Sequence, residues 1–264
     1  MKRYLLLACL LLLLTGVFGH EYILMAYHFK LNKGDNLEIH LFVADGFNVQ
    51  LERPVQNAII KKFELLTPDS IVNLKNQPDG SLPVVNRRVD FDGGGLIHME
   101  RDYAKISLPT DKFFEYLKED HLDGIAGKTD KKKKEQRERY TRYIKALVQS
   151  GHQYTDSLYR TNIGQRFEII LLQNPYQLHK GSIIQAKILF EGKPLAGKIM
   201  TARNRTGSKA SIVQTSKTNQ NGICSFQLPR TGDWFIHGTY MLSCPDKNDA
   251  DWESFWTSYS FEIE

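Results

Sequence analysis

The stretch ICSFQLPRTGDWFIHGTYML, residues 223–242, contains the pattern that decides the fold. Two short runs of alternating apolar and polar residues flank Arg230-Thr231-Gly232-Asp233, which has the composition of a turn. The same kind of run recurs between residues 166 and 263, as RFEIILL, IIQAKILF, KIMTAR, SIVQTS and FWTSYSFEI. About seven short strands at this spacing predict an antiparallel sandwich of immunoglobulin or prealbumin type.

The two runs of the opening stretch are predicted to form a hairpin. Centring the turn places Cys224 opposite about Thr239, and Cys244 then lies ~16 Å further along at ~3.3 Å per residue. Because bridged cysteines have Cα atoms closer than ~7 Å, we predict that Cys224 and Cys244 stay unpaired. In the last strand, residues 255–263 alternate apolar and polar, which predicts a half-buried strand.

The first half of the chain also contains strand patterns. HEYILMAYHFKL and NLEIHLFVADGF flank Asn32-Lys33-Gly34-Asp35, so a hairpin is expected there, with His28 near His40 and residue 20 near Asp45-Gly46-Phe47. Further strands are predicted at residues 58–66, 71–74, 96–99 and 104–108.

Two helices are predicted between these strands and the sandwich. TDKFFEYLKEDHL has Phe113, Phe114, Tyr116 and Leu117 on a helical spacing, and a second apolar stripe predicts a helix over residues 129–149. The lysine-rich start of that segment is typical of a solvated helix face, with contact to anionic lipid or a partner as the alternative. The sequence therefore predicts a mainly β protein with two antiparallel sandwich-type domains, residues 20–165 and 166–264, and a helical segment at about 110–150.

The first 19 residues, MKRYLLLACLLLLLTGVFG, have the organisation of a signal peptide. Lys2 and Arg3 precede an apolar run that is too short for a membrane span of ~20 residues, and small residues precede a cut after Gly19. A cut after Gly16 is the alternative. We expect the mature protein to be periplasmic or secreted and not to span a membrane.

Composition and motifs reduce the number of function classes that fit the sequence. Cleavage removes two of the 35 basic residues and no acidic ones, so the formal charge falls from +5 to +3, which does not favour a nucleic-acid partner. No Gly-x-Ser-x-Gly, His-Glu-x-x-His or phosphate-binding glycine loop is present in the sequence. We therefore predict a non-catalytic protein.

Several segments together resemble domain-of-unknown-function family 4198, exported bacterial proteins described as periplasmic components of nickel or cobalt uptake. They include HEYILM after the signal, KGDNLEIHLFVADGF, RERYTRYIKALVQSG, EGKPLAGKIMTARNR, TNQNGICSFQLPRTGDWFIHGTYM and DWESFWTSYSFEIE. The resemblance implies a β-rich N-terminal domain, a C-terminal sandwich and a mature N-terminal histidine, which matches His20. Members often have Gly-Glu where this chain has Asp45-Gly46, and this departure weakens a role for Asp45.

As a mature N-terminus, His20 would offer an α-amine and an imidazole nitrogen to one metal ion. Ni²⁺, Co²⁺ and Cu²⁺ favour such nitrogen donors, and His98 and Asp45 are the candidate further ligands. The first hypothesis is thus a metal-binding protein that serves a membrane metal transporter. The alternatives are a glycan- or protein-binding envelope module, and a copper-dependent oxidase, which would need a second histidine beside His20.

Overall fold

The computed structural model describes residues 21–154 and 157–264, and it confirms the mainly β fold class with antiparallel sandwich-type packing and a short helical insertion. The predicted signal peptide and His20 lie outside the described residues. The strands are β1 Glu21–Ala26, β2 Lys30–Leu31, β3 Asn36–Asp45, β4 Asn48–Arg53, β5 Ile60–Leu66, β6 Ile71–Asn73, β7 Val85–Arg88, β8 Gly93–Pro109, β9 Glu135–Ser150, β10 Phe167–Leu171, β11 Ile183–Phe190, β12 Lys193–Pro194, β13 Ile199–Arg205, β14 Ile212–Lys217, β15 Ile223–Gln227, β16 Gly232–Ser243 and β17 Trp252–Ile263. The helices are α1 Thr110–Glu119 and α2 Asp123–Ala126, with 3₁₀ turns at Asn57–Ile59, Leu158–Arg160 and Pro175–Gln177.

Three sheets stack in layers around β17. A nine-stranded sheet has the order β14-β13-β16-β17-β9-β8-β5-β6, with β2 beside β9. One four-stranded sheet is built from β1, β3, β4 and β7, and the other from β10, β11, β12 and β15. The Phe255 ring packs on Phe190 of β11, whereas the Ser258 hydroxyl donates to the Tyr22 carbonyl of β1. Because side chains alternate along a strand, the two small sheets lie on opposite faces of the large one.

This layering corrects the expectation that the last strand is half buried. Its residues from Trp252 to Phe261 are all buried, because one face meets the β10 sheet and the other meets β1 and helix α1. The serines and threonines of this strand are instead buried polar residues, of which Ser258 is hydrogen-bonded to β1 across the layers and Ser254 to Glu138 of the neighbouring strand β9.

The predicted hairpin of residues 223–242 is wrong in its pairing. Strand β15 pairs with β11, while β16 pairs with β13 and β17, so the chain crosses from one sheet to another at the turn. Cys224 lies opposite Ala186 rather than Thr239. Cys224 and Cys244 are nevertheless both free and buried, which confirms the prediction that they are unpaired.

The helix predicted over residues 129–149 is also wrong, because residues 135–150 form strand β9. This strand runs antiparallel to β8 and parallel to β17, at the centre of the nine-stranded sheet. The apolar residues that fit a helical stripe also satisfy a strand whose two faces are both covered, and β9 is buried on both faces from Tyr143 to Ser150. The insertion therefore consists of α1 and the single-turn α2.

The predicted division at Gln165 falls between β9 and β10. The strands on either side of it are not separate in space, because β17 pairs with β9 from Trp252↔Glu138 to Ser260↔Ala146. The N-terminal hairpin pairs β1 with β3 in a register that places Met25 opposite His40. His28, which was expected opposite His40, lies beyond the end of β1 and is exposed.

Candidate functional site

A polar cavity of about 470 Å³ opens on the face of the nine-stranded sheet that carries β1. Strands β13, β14 and β16 form its floor, and the start of β1, the end of β3 and the end of α1 form its walls. Its titratable lining residues are Glu21, Asp45, Glu119, Asp120, His121, Arg203 and His237. A volume of this size suits a small ligand or ion.

Glu21, the first described residue, is buried at this cavity. Its Oε2 accepts a hydrogen bond from the Gly46 N–H at 3.1 Å, and its Oε1 lies 3.5 Å from Arg203 Nη2 and 3.4 Å from His237 Nε2. Burial raises the pKa of Glu21, and the charge of Arg203 opposes this shift. The start of the described chain is thereby fixed to the cavity by its first side chain.

His237 faces Glu21 from β16 and also lies beside Arg203. Burial lowers the pKa of His237 to about 3, and the neighbouring Arg203 charge lowers it further, so the imidazole is neutral at physiological pH. Its Nε2 lies 3.4 Å from Arg203 Nε, which can donate to it, and 3.4 Å from Glu21 Oε1, so neither contact of this nitrogen is short. A neutral imidazole with a weakly engaged lone pair is the form that ligates metals.

The end of helix α1 supplies a second histidine and a carboxyl group. Leu122 N–H donates to Leu117 O and His121 N–H to Lys118 O, which is a Schellman motif with His121 in the position usually taken by glycine. His121 accordingly has a left-handed φ of 54°, a conformation that strains a residue with a side chain. Burial raises the pKa of the preceding Asp120 to about 7, while a hydrogen bond from the Thr239 hydroxyl at 3.0 Å acts in the opposite direction.

The structure brings Asp45, one of the predicted site residues, to this cavity. Asp45 ends β3, and its Oδ1 lies 3.7 Å from Arg203 Nη2. Gly46 follows it with φ of 61°, and a Cβ at that position would lie 2.9 Å from Arg203 Nη1. A side chain at position 46 would therefore be strained by the backbone conformation and would require the Arg203 side chain to shift.

The structure does not bring His98 to this cavity. His98 lies opposite Lys145 in β9, and Lys145 lies opposite Tyr259 in β17, which places all three on the face that carries the β10 sheet. There, His98 Nε2 is 3.1 Å from Glu64 Oε2, and burial lowers the pKa of His98 to about 4. The large sheet separates His98 from Glu21 and Asp45.

Sequence reasoning gave no role to His121, His237 or Asp120, which line the cavity. Within residues 21–154 and 157–264, no group of three or more His, Cys, Asp and Glu side chains is placed to hold a metal ion. The donor set at the cavity is nevertheless chemically suited to a divalent transition metal, since it combines neutral imidazole with carboxylate oxygens. Its imidazole and carboxylate groups would need a further donor to complete a site.

The fold and the cavity define a mainly β protein with a polar cavity at the start of its first strand. The chain belongs to the family called domain of unknown function DUF4198, whose model matches residues 17–242. This confirms the family that the sequence segments indicated.

Comparison with curated proteins gives no match. Among solved structures, the chain is similar to one titled "Crystal structure of tetra-tandem repeat in extending region of large adhesion protein", with 7% sequence identity and a TM-score of 0.22. The alignment covers 93% of this chain and 50% of that chain, so this chain spans about half its length. No helix among the described residues is both long enough and apolar enough to cross a membrane.

Proposed function

We propose that this is an exported metal-binding protein whose site is formed by the mature N-terminal His20 together with the cavity beside Glu21. The observation that carries the proposal is that Glu21, the residue bonded to His20, is buried against His237 at 3.4 Å. Consecutive Cα atoms are ~3.8 Å apart, so the amine and imidazole of residue 20 can reach only the surroundings of Glu21. Those surroundings contain imidazole and carboxylate donors.

The chemistry of these groups favours nickel, cobalt or copper as the cargo. A free α-amine has a pKa of ~7.7–8.0, so a metal ion can displace its proton near neutral pH. His237 would add a second imidazole that needs no deprotonation, and Asp45 or His121 would add a further donor. Arg203 Nη2 lies 3.5 Å from Glu21 Oε1 and 3.7 Å from Asp45 Oδ1, so a bound cation would compete with the guanidinium for these carboxylates. We propose that the bound metal passes to a membrane metal transporter in the cell envelope.

The experiment compares three variants with the unmodified exported protein by calorimetric titration with Ni²⁺, Co²⁺ and Cu²⁺. Intact mass first establishes that the chain starts at His20. An alanine added before His20 keeps the imidazole but turns the amine into an amide, which is not a donor of the same kind. We expect metal binding to weaken by at least ~10–100-fold in each of three variants: this extension, His20→Ala and His237→Ala. A loss of that size is typical even for residues that only hydrogen-bond to a metal ligand.

His179→Ala is the matched control, because His179 is exposed and outside the cavity. Its affinity should equal that of the unmodified protein, and the fold of all variants is checked by circular dichroism. Unchanged affinity in the extended protein would place the site elsewhere, and absence of binding by any of the three metals would refute the proposal.

A copper-dependent oxidase is the second candidate, because it requires a second histidine beside the N-terminal one and His237 lies 3.4 Å from Glu21, the residue bonded to His20. Oxygen consumption by the copper-loaded protein with a reductant distinguishes the two functions. Consumption that is lost in His237→Ala would favour the oxidase, and consumption no faster than that of free copper would exclude it.

A further inference from the structure

Two arginines lie directly opposite each other on the β1 face of the large sheet. Arg101 of β8 is the register partner of Arg142 of β9, so their side chains project from adjacent positions on one face. Like charges in this arrangement repel and destabilise a sheet. Arg53 of β4 lies opposite Leu41, which lies opposite Leu24, so it is on the same face of the small sheet as Tyr22. Burial lowers the pKa of Arg101, and the charges of Arg142 and Arg53 lower it further.

Within residues 21–154 and 157–264, these three arginines lack the carboxylate partners that other arginines of the chain have. Arg139, Arg166 and Arg203 each lie within 3.5 Å of an aspartate or glutamate oxygen. In the described part of the chain, no such ion pair is found for Arg53, Arg101 or Arg142. Buried Glu138 responds to the Arg142 charge but forms no ion pair with it.

Several buried N–H groups in this cluster have no acceptor in the part of the chain that the structure describes. Arg53 Nε, Arg101 Nη1 and Arg142 Nε are all buried and have no hydrogen-bond partner among the described residues. Arg101 is 7% exposed, and its other terminal nitrogen, Nη2, donates to Gln56 Oε1 at 3.1 Å. Leaving a buried donor unsatisfied, particularly a charged one, is unfavourable.

The ring of Tyr22, which lies beside Arg101 and Arg142, does not supply the missing hydrogen-bond acceptors. The Arg142 and Arg101 Cζ atoms lie 3.9 and 5.1 Å from the centroid of the Tyr22 ring, and Arg142 also lies 4.5 Å from Tyr140. A ring face attracts a cation, but the N–H groups in the guanidinium plane still require oxygen acceptors. Neighbouring guanidinium groups with unpaired N–H donors form an arrangement that binds carboxylate and phosphate groups.

We propose that Arg53, Arg101 and Arg142 form a binding site for an oxyanion, the carboxylate or phosphate group of a small ligand. Arg53 and Arg142 are half-buried, so the ligand can approach from solvent, while Arg101 forms the base of the site. Arg142 also lines a narrow crevice shared with Glu21 and His237, which places the oxyanion site beside the proposed metal site but on different residues.

The test uses metal-free mature protein in chloride buffer of constant ionic strength, titrated calorimetrically with citrate in one arm and inorganic phosphate in the other. A dissociation constant of ~1 mM or tighter in either arm is expected, and the arm that binds identifies carboxylate or phosphate as the preferred group. Arg53→Gln should weaken binding about tenfold through loss of a charge-assisted hydrogen bond. Arg88→Gln is the control, because Arg88 is an exposed arginine on the neighbouring β7.

Thermal unfolding separates binding from a structural role. In chloride alone, Arg53→Gln should unfold at the same temperature as the unmodified protein or higher, because it removes one of three repelling charges. Citrate or phosphate should stabilise the unmodified protein more than this variant. Equal weakening by Arg88→Gln, or no binding of either probe, would overturn the proposal. The N-terminally extended protein should bind the oxyanion normally, so failure of the metal site leaves this test intact.

Discussion

Glu138 is a single side chain whose protonation is set by its surroundings. It lies between helix α1 and the large sheet, where the Tyr116 hydroxyl donates to its Oε1 at 3.3 Å and the Ser254 hydroxyl donates to the same atom. Burial raises the pKa of Glu138 to about 7, although these hydrogen bonds act in the opposite direction. Near neutral pH the folded protein therefore holds a proton that the unfolded chain has released.

The resulting pH dependence can be measured with Glu138→Gln. Between the ordinary value of 4.5 and about 7, the folded state binds more protons at this site, so its contribution to stability falls as pH rises through that window. The glutamine variant cannot ionise. Its free energy of unfolding relative to the unmodified protein should therefore improve from about pH 4.5 to about pH 8, by on the order of 3 kcal/mol.

Urea unfolding at the two pH values checks this, with exposed Glu115→Gln as the control. His98 and His237, whose pKa values are lowered to about 4 and about 3, contribute a slope of the opposite sign. That contribution is common to both proteins and cancels in the difference. A difference that is independent of pH would contradict the raised pKa of Glu138.

Residues of the candidate site differed in how far the sequence could predict them. Asp45 was predicted because a local turn brings the end of β3 back towards the start of β1. His237 was not predicted as a site residue. Its position beside Glu21 depends on the pairing of β16 with β13 and β17, strands that are distant in sequence from β1. His98 was assigned to the site from a nearby glycine-rich segment, and only the register through β9 and β17 shows that it lies on the other face.

Among the elements, α1 and β9 show why one helix was predicted correctly and the other was not. In α1 the apolar residues are confined to one face, and Phe113, Tyr116 and Leu117 are buried while their neighbours are exposed or half-buried. In β9 the charged residues are accommodated by partners from distant segments, such as Asp249 with Arg139 at 2.9 Å and Glu168 with Lys145 at 2.6 Å. A strand with such partners has a mixed sequence, and its periodicity does not reveal the sheet that contains it.

Helix α1 is attached to the sheet by aromatic packing, and Phe113→Ala tests its contribution. Phe113 is fully buried, with its ring centroid 5.8 Å from Tyr116 and 6.0 Å from Trp252. Truncation should lower the free energy of unfolding by about 3–5 kcal/mol and the melting temperature by about 10 °C.

Phe114→Ala is the matched control, because Phe114 is the next residue and is only half-buried. Calorimetric unfolding of both variants should show at most about 1 kcal/mol of loss for Phe114→Ala. Similar losses in the two variants would mean that α1 is not attached through the buried face described here.

At the scale of the whole molecule, the sequence predicted the strands better than their arrangement. The turn signals marked strand ends, but the choice of neighbours depends on which faces can be buried together. Strand β17, at the C-terminal end, separates β16 from β9 and so joins the two halves of the chain in one sheet. The buried ion pair of Lys145 and Glu168, each 1% exposed in its side chain, links the same two halves across layers.

This shared sheet leads to a prediction about the fragments 20–165 and 166–264. Alone, the fragment 166–264 would expose the β9-facing edge and one buried face of β17, a 12-residue strand, and would leave Glu168 without Lys145. Removing one partner of a buried ion pair costs about 3–5 kcal/mol, and an uncovered apolar strand edge favours aggregation.

We expect each fragment alone to be aggregated or to unfold without a cooperative transition. Co-expressed with a tag on one of them, the two should copurify and unfold cooperatively in urea, as followed by circular dichroism. A fragment 166–264 that alone is monomeric and unfolds cooperatively would show that the halves are independent domains joined only at their surface.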